Sequence, residues 1–176
     1  IISMNNKLKI AVIGATGYTG LDLVYLLSKH PRVKILDLCA SKNLGKKISF
    51  FDKRIKKNLP KISSIKDINW NSLNLVFLSL PNGEAQKLIK KIFFKNKKIK
   101  FIDLSADFRI LNSKIYKKFY NINHNARNLI KFSLYSIPEL DKDKIDNFRI
   151  ISNPGCYPTS VQIPLIPLIN NKLIKT

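Results

Sequence analysis

The residues best suited to chemistry lie in Asn153-Pro154-Gly155-Cys156-Tyr157-Pro158-Thr159. A β-type run, Phe148 to Ser152, precedes them, and Pro158 offers the fixed φ of a first helical turn. Cys156 is therefore expected at a strand-to-helix corner. There, unpaired backbone N–H groups and the positive end of the helix dipole favour a thiolate, the nucleophilic form of cysteine. Gly155 lets the backbone approach a substrate closely. The same residues also fit a small buried cysteine in a turn, the commoner fate of a lone Cys.

A second chemical element opens the chain. Leu8 to Ile13 reads as an apolar strand, Gly14-Ala15-Thr16-Gly17-Tyr18-Thr19-Gly20 follows at once, and an apolar-periodic helix runs from Leu21 to about Lys29, ended by His30-Pro31. Strand, glycine loop and helix in this order make the phosphate cradle of a doubly wound α/β fold, with pyrophosphate on the helix N-terminus. The spacing is G-x-x-G-x-x-G, and glycines serving only a tight turn are the alternative. The second strand, Val33 to Ala40, ends in Ser41-Lys42, with Asp37 several residues too early to bond a ribose hydroxyl. A hydroxyl and a lysine suit a 2′-phosphate, so NADP(H) is expected in place of NAD, unless both are ordinary loop residues.

These elements must be positioned by strands. Leu73 to Leu80 and Lys100 to Leu104 read as buried strands, the first turning through Pro81-Asn82-Gly83 into a helix over Glu84 to Phe94, the second leading to Ser105-Ala106-Asp107-Phe108-Arg109. Asn43 to Asn71 is lysine-rich and carries no recognisable chemistry, and Asn112 to Lys131 is polar and partly helical. Each unusual loop follows the carboxyl end of a strand. In an open parallel sheet those ends share one edge and line the ligand crevice, so cradle and cysteine should face each other.

A thiolate beside a nicotinamide points to attack on an activated acyl group, a thioester that accepts hydride, and a thiohemiacetal that collapses to an aldehyde. If phosphate is the leaving group, an arginine should clamp it, and Arg109 is the best placed. A surface ion pair with Asp107 or Glu139 is the competing role for that arginine.

Composition narrows the class. A chain of 176 residues with 45% hydrophobic content supports one core and the beginning of a second. Ile1-Ile2-Ser3 ahead of Met4 reads as a carried-over leader, and a stop at Thr176 inside an apolar run reads as an incomplete frame. No apolar run approaches the ~20 residues of a membrane span, and no signal-peptide layout opens the chain. A cytoplasmic protein with two free thiols is expected, Cys39 filling the core. The formal net charge of +21 comes from lysines spread over the whole chain without a stripe or aromatic platform. A specific nucleic-acid partner is therefore not expected, although the field would attract an anionic cofactor and substrate. No metal site is expected.

In order and spacing, Gly14 to Gly20, Leu80-Pro81-Asn82-Gly83, Asp103-Leu104-Ser105-Ala106-Asp107-Phe108-Arg109, Ile137-Pro138-Glu139-Leu140 and Asn153 to Thr159 resemble the N-acetyl-gamma-glutamyl-phosphate reductases of arginine biosynthesis. The likeness runs from about Lys9 to Leu168. It implies NADPH-dependent reduction of the acyl phosphate to N-acetylglutamate 5-semialdehyde with Cys156 as nucleophile. Gly14, Thr16, Gly17, Tyr18, Thr19 and Gly20 would hold the pyrophosphate. Ser41 and Lys42 would meet the 2′-phosphate, Pro81 and Gly83 would lie near the nicotinamide, and Arg109, with Ser105 and Asn153, would bind the acyl phosphate.

It further implies a Rossmann-type domain over residues 1–152 and the start of an α+β catalytic and association domain over 153–176. The family's catalytic histidine should lie beyond Thr176, and the full-length protein should be a homo-oligomer. His30 ends a helix and His124 sits in a polar loop, so neither replaces that histidine by motif. Two departures stand out: Asn82 replaces the family's usual His, and Pro164, besides Pro167, should kink the helix after Cys156 or cost it a backbone bond. By itself the chain should expose apolar surface and be a poor catalyst. Aspartate-semialdehyde dehydrogenase and a reductase of carrier-bound aminoadipyl phosphate share the mechanism. A non-catalytic NADP-binding module and a nucleic-acid binder are the readings from other classes.

Overall fold

The computed structural model describes residues 7–175, so the residues around the expected start at Met4 and the terminal Thr176 lie outside the described residues. The chain folds as β1 (Leu8–Ile13), α1 (Tyr18–Lys29), β2 (Val33–Cys39), β3 (Ile62–Ser63), β4 (Leu75–Leu78), α2 (Glu84–Ile92) and β5 (Lys100–Asp103), then α3 (Ser113–Tyr120), β6 (Ser133–Tyr135), α4 (Pro138–Asp141), β7 (Ile150–Ser152) and α5 (Cys156–Asn170). The sheet has seven strands in the order β3-β2-β1-β4-β5-β7-β6. Every pairing is parallel, the doubly wound arrangement that the motifs imply.

Alternation along β1 explains the two layers. Ile10 and Val12 pack with Val24 of α1 and with Val33, Ile35 and Leu38 of β2. Ala11 and Ile13 face the other way, onto Ala85, Ile89 and Ile92 of α2 together with Phe101 and Phe108. Both faces of the sheet are thus apolar, as a parallel sheet covered on both sides requires. Asp37 pairs with Ala11 two residues before the end of β2, and burial pushes its carboxyl up from the ordinary range.

The strands end together. Ser63, Cys39, Ile13, Leu78, Asp103, Ser152 and Tyr135 are matched neighbour to neighbour across the sheet. They form one row, so every loop that follows them starts at the same level of one edge. Two strands have no counterpart in the sequence reading, β3 and β6, of two and three residues. Both are edge strands too short for an alternating pattern to show. Helix α1 begins at Tyr18 in place of Leu21, because Gly17 takes the cap and draws Tyr18, Thr19 and Gly20 into the first turn.

One expectation holds and one changes. Helix α5 continues through both Pro164 and Pro167 to Asn170, at the cost of the expected backbone bonds. The missing amides leave the carbonyls of Ser160 and Ile163 without their usual donors, yet the helix does not end there. Tyr157, Val161, Ile163, Leu165, Leu168 and Ile169 along it are exposed, the apolar surface expected of this segment. His124 is buried, in contrast to its polar-loop reading, at 3% exposure against Phe108 and Tyr116.

Candidate active site

The glycine cradle begins where β1 ends. Gly14 and Ala15 both donate their amides to the Cys39 carbonyl, at 2.8 and 3.0 Å, so the chain leans onto β2 before turning into α1. Gly14 has φ +84°, and a Cβ there would meet the Ser79 carbonyl oxygen at 1.9 Å; one on Gly20 would meet the Gly14 oxygen at 2.1 Å. These two glycines are required by the protein's own packing. Gly17 differs: a Cβ on it would touch only the Gly14 oxygen at 3.5 Å, an ordinary contact. The chain's own packing therefore leaves the position of a Cβ at Gly17 open.

Gly17 caps α1 without a side-chain bond, and no acidic residue lies in the first turn. The amides of Tyr18, Thr19 and Gly20 open the helix without intrahelical acceptors, beside a half-buried Thr16. This is the geometry that a pyrophosphate needs, so the cradle fits a dinucleotide. Ser41 and Lys42 are exposed just beyond β2 on the same edge.

The next two loops are locked together. Gly83 caps α2 at φ +91°, with no side-chain bond of its own. The cap comes from across the crevice. Asp107 Oδ1 accepts from the Gly83 amide at 2.6 Å and Oδ2 from the Gln86 amide at 2.9 Å. Asp107 Oδ1 also accepts from the Tyr116 hydroxyl at 2.7 Å. In addition, Asn82 Oδ1 accepts from the Ala106 amide at 3.2 Å. Pro81 and Asn82 stay exposed on this loop while Gly83 is buried.

Beneath the loops lies a closed polar network. The Ala126 amide donates to His124 Nδ1 at 3.2 Å, which places the ring proton on Nε2, 2.8 Å from the Asp107 carbonyl. Burial pushes the His124 pKa down, so the ring is held neutral. Gln86 Nε2 reaches the Tyr116 hydroxyl at 3.3 Å, and the Asn125 amide donates to Gln86 Oε1. Gln86 and Tyr116 were not singled out in the sequence, and Asp107 and His124 were weighed there only for other roles. Their signal was indirect: a helix start at Glu84 with glycine before it and no serine, threonine or aspartate at the cap needs a partner from elsewhere.

Arg109 makes no ion pair with Asp107 or Glu139 among the described residues, because Asp107 is fully engaged with α2. Instead its Nε donates to the Asn153 carbonyl and its Nη2 to the Leu104 carbonyl, both at 2.9 Å. The guanidinium thus spans the ends of β5 and β7 and makes no direct ion pair among the described residues. Its Nη1 lies over Gly155, where a Cβ would come within 3.1 Å. Asn153 turns its side-chain amide onto the Pro154 carbonyl at 3.0 Å. Ser105 is buried, its hydroxyl oxygen accepting from the Asp107 amide at 3.2 Å.

Cys156 is the first residue of α5, exposed, behind a Gly155 cap that makes no side-chain bond. Pro158, third in the helix, has no amide, so the amides of Cys156 and Tyr157 are the open donors there. Cys39, by contrast, is buried, and burial pushes its thiol up to about 11, the environment of an inert thiol. The structure therefore brings Arg109, Asn153, Gly155 and Cys156 into one corner. The cradle, Ser41-Lys42 and Pro81–Gly83 lie along the same edge.

A doubly wound parallel sheet with an open glycine cradle at the start of its first helix defines the dinucleotide-binding class of α/β domains. Within that class, the chain belongs to the semialdehyde dehydrogenase family: the model of its NAD-binding domain matches residues 9–148. Among curated relatives, an N-acetyl-gamma-glutamyl-phosphate reductase of Ehrlichia canis is 45% identical over 175 residues, covering 98% of this chain and 49% of its own length. A probable chloroplastic enzyme of the same name from Oryza sativa is 39% identical, covering 99% of this chain and 41% of its own. The chain thus spans about half the length of the curated relatives it matches. Aspartate semialdehyde dehydrogenase II from Vibrio cholerae shares the fold at a TM-score of 0.69 and 19% identity, over 94% of this chain and 43% of that one.

Proposed function

We propose that the chain is the dinucleotide-binding portion, with the nucleophile-bearing corner, of an NADPH-dependent N-acetyl-gamma-glutamyl-phosphate reductase. The observation that carries this reading is the corner itself, with an exposed cysteine at an uncapped helix start and an arginine in no direct ion pair lying over the adjoining glycine. The Cys156 thiolate attacks the acyl carbon of the acyl phosphate, and the bond to the phosphate oxygen breaks. Arg109 receives the departing phosphate through N–H groups not used on Asn153 and Leu104. NADPH, when bound, supplies the hydride that reduces the thioester. Collapse of the thiohemiacetal breaks the C–S bond, frees the aldehyde and returns the thiolate.

The cofactor is held by Gly14, Thr16, Gly17, Tyr18, Thr19 and Gly20, its 2′-phosphate by Ser41 and Lys42, with Pro81 and Gly83 on the nicotinamide side. Ser105 and Asn153 line the acyl-phosphate side with Arg109. In this reading residues 1–152 form the cofactor domain, and 153–176 begin the catalytic and association domain of a homo-oligomeric, cytoplasmic enzyme. Among the described residues no helix is long and apolar enough to cross a membrane. His124, with both ring nitrogens engaged inside the fold, is not placed to act as a catalytic acid or base.

The test is the rate of iodoacetamide alkylation at Cys156 against pH, on a Cys39→Ser background, with and without NADPH. Alkylation faster at pH 7 than that of a free thiol, and altered by NADPH, is the expected result. A rate equal to a free thiol's and indifferent to NADPH sinks the reading.

A further inference from the structure

Asp107 belongs to neither ligand subsite of that reading, yet it is fully buried and its carboxylate carries three hydrogen bonds. Two come from the amides that open α2, behind the Pro81–Gly83 loop. The Asp107 backbone belongs to the loop that ends in Arg109. The third bond, from Tyr116, fixes the carboxylate from the side of α3. A third tie between the same two loops is the Asn82 bond to the Ala106 amide.

The partners of this carboxylate are all neutral. The carboxylate is held by two amides, a hydroxyl and the positive end of α2, a setting in which its position is dictated by the helix start. Arg109 is two residues away along the chain, anchored to the ends of β5 and β7. The nicotinamide-side loop and the phosphate-side loop are consequently one mechanical piece with two ligand-facing ends. A ligand that orders one end has already ordered much of the other, so the second ligand meets a smaller ordering cost.

We propose that Asp107 is a positioning residue that couples dinucleotide binding at the Pro81–Gly83 loop to phosphate binding at Arg109. The proposal rests on the reductase reading, and the two are separable by experiment. By linkage the coupling is reciprocal: phosphate tightens NADPH by the factor by which NADPH tightens phosphate.

The experiment titrates the 176-residue chain with NADPH by fluorescence, with and without saturating inorganic phosphate, and repeats it with Asp107→Asn, Tyr116→Phe and Arg109→Ala. In the unaltered chain phosphate is expected to lower the NADPH dissociation constant about fivefold. Asp107→Asn keeps the size of the side chain but loses its charge, and should still bind each ligand alone while the ratio falls toward one. Tyr116→Phe removes one donor and leaves both loop bonds, so an intermediate ratio with a thermal midpoint near that of the unaltered chain is expected. Arg109→Ala should bind NADPH without responding to phosphate.

If the unaltered chain binds both ligands independently, or if Asp107→Asn keeps the full ratio, the coupling is overturned and the reductase reading stands. If the unaltered chain binds neither ligand, both fall. Should Asp107→Asn fail to fold, Tyr116→Phe decides: an unchanged ratio overturns the proposal.

Discussion

Helix α2 and the helices α1 and α5 start at the same edge of the sheet and are finished differently. The first turn of α2 is closed by the Asp107 carboxylate, and beyond its last turn the Phe93, Asn96 and Ile99 carbonyls are met by Arg149 Nη2 at 3.1, 2.8 and 3.1 Å. The Arg149 guanidinium also lies 3.9 Å from the centre of the Phe93 ring. The first turns of α1 and α5 carry glycine caps and no side-chain partner at all. A helix end satisfied from within belongs to the scaffold, whereas one left open at a crevice is available to a ligand.

The largest break in this contrast comes from Asp107→Ala. It leaves the Gly83 and Gln86 amides and the Tyr116 hydroxyl without their acceptor in a buried site, and should lower the unfolding free energy by about 4 kcal/mol in urea titration. Gly14→Ala and Gly17→Ala sharpen the contrast inside a single loop. The first forces a Cβ against the Ser79 carbonyl at a positive φ and should cost about 3 kcal/mol of stability. The second should change stability by less than about 0.5 kcal/mol, yet weaken NADPH roughly tenfold by filling the open space. Equal stability losses in the two variants would show that the space at Gly17 is not reserved for a ligand.

Two buried carboxylates of one segment carry the same contrast at a smaller scale. Asp107 carries three hydrogen bonds, but Asp103 accepts the Ser105 amide on Oδ1 while its Oδ2, like the buried Ser152 hydroxyl on the neighbouring strand, finds no close partner among the described residues. Burial, partly offset by the Ser105 bonds, pushes Asp103 up to about 6. The folded state therefore holds a proton that the unfolded chain releases near pH 4. The stability linked to it is full below about pH 4 and lost as pH rises through about 6. Asp103→Asn should remove that slope, so the stability difference between variant and parent should change by about 2 kcal/mol from pH 4 to pH 8.

Much of the edge was legible because its punctuation is local. A strand, then Gly14 to Gly20, then a helix can be read within the 22 residues from Leu8 to Lys29, and the corner at Gly155-Cys156 follows the same grammar. The freedom of Arg109 from Asp107 was not legible, since it depends on bonds from Gly83 and Gln86, 24 and 21 residues away. The burial of His124 and the pairing of β6 are likewise tertiary facts, set by what packs on them. Motifs gave the order of the loops; the row of strand ends, which makes them neighbours, exists only in the assembled sheet.

The strand order also dictates when the corner can be built. β6 precedes β7 in the chain, yet β7 lies between β5 and β6. As the chain leaves the ribosome, β6 emerges with no strand to join, because the place beside β5 must wait for Ile150–Ser152. Sheet growth on that side is completed by the strand that delivers Cys156. The thiol thus enters its surroundings only after the rest of the edge is in place, and all-parallel pairing of this kind closes slowly.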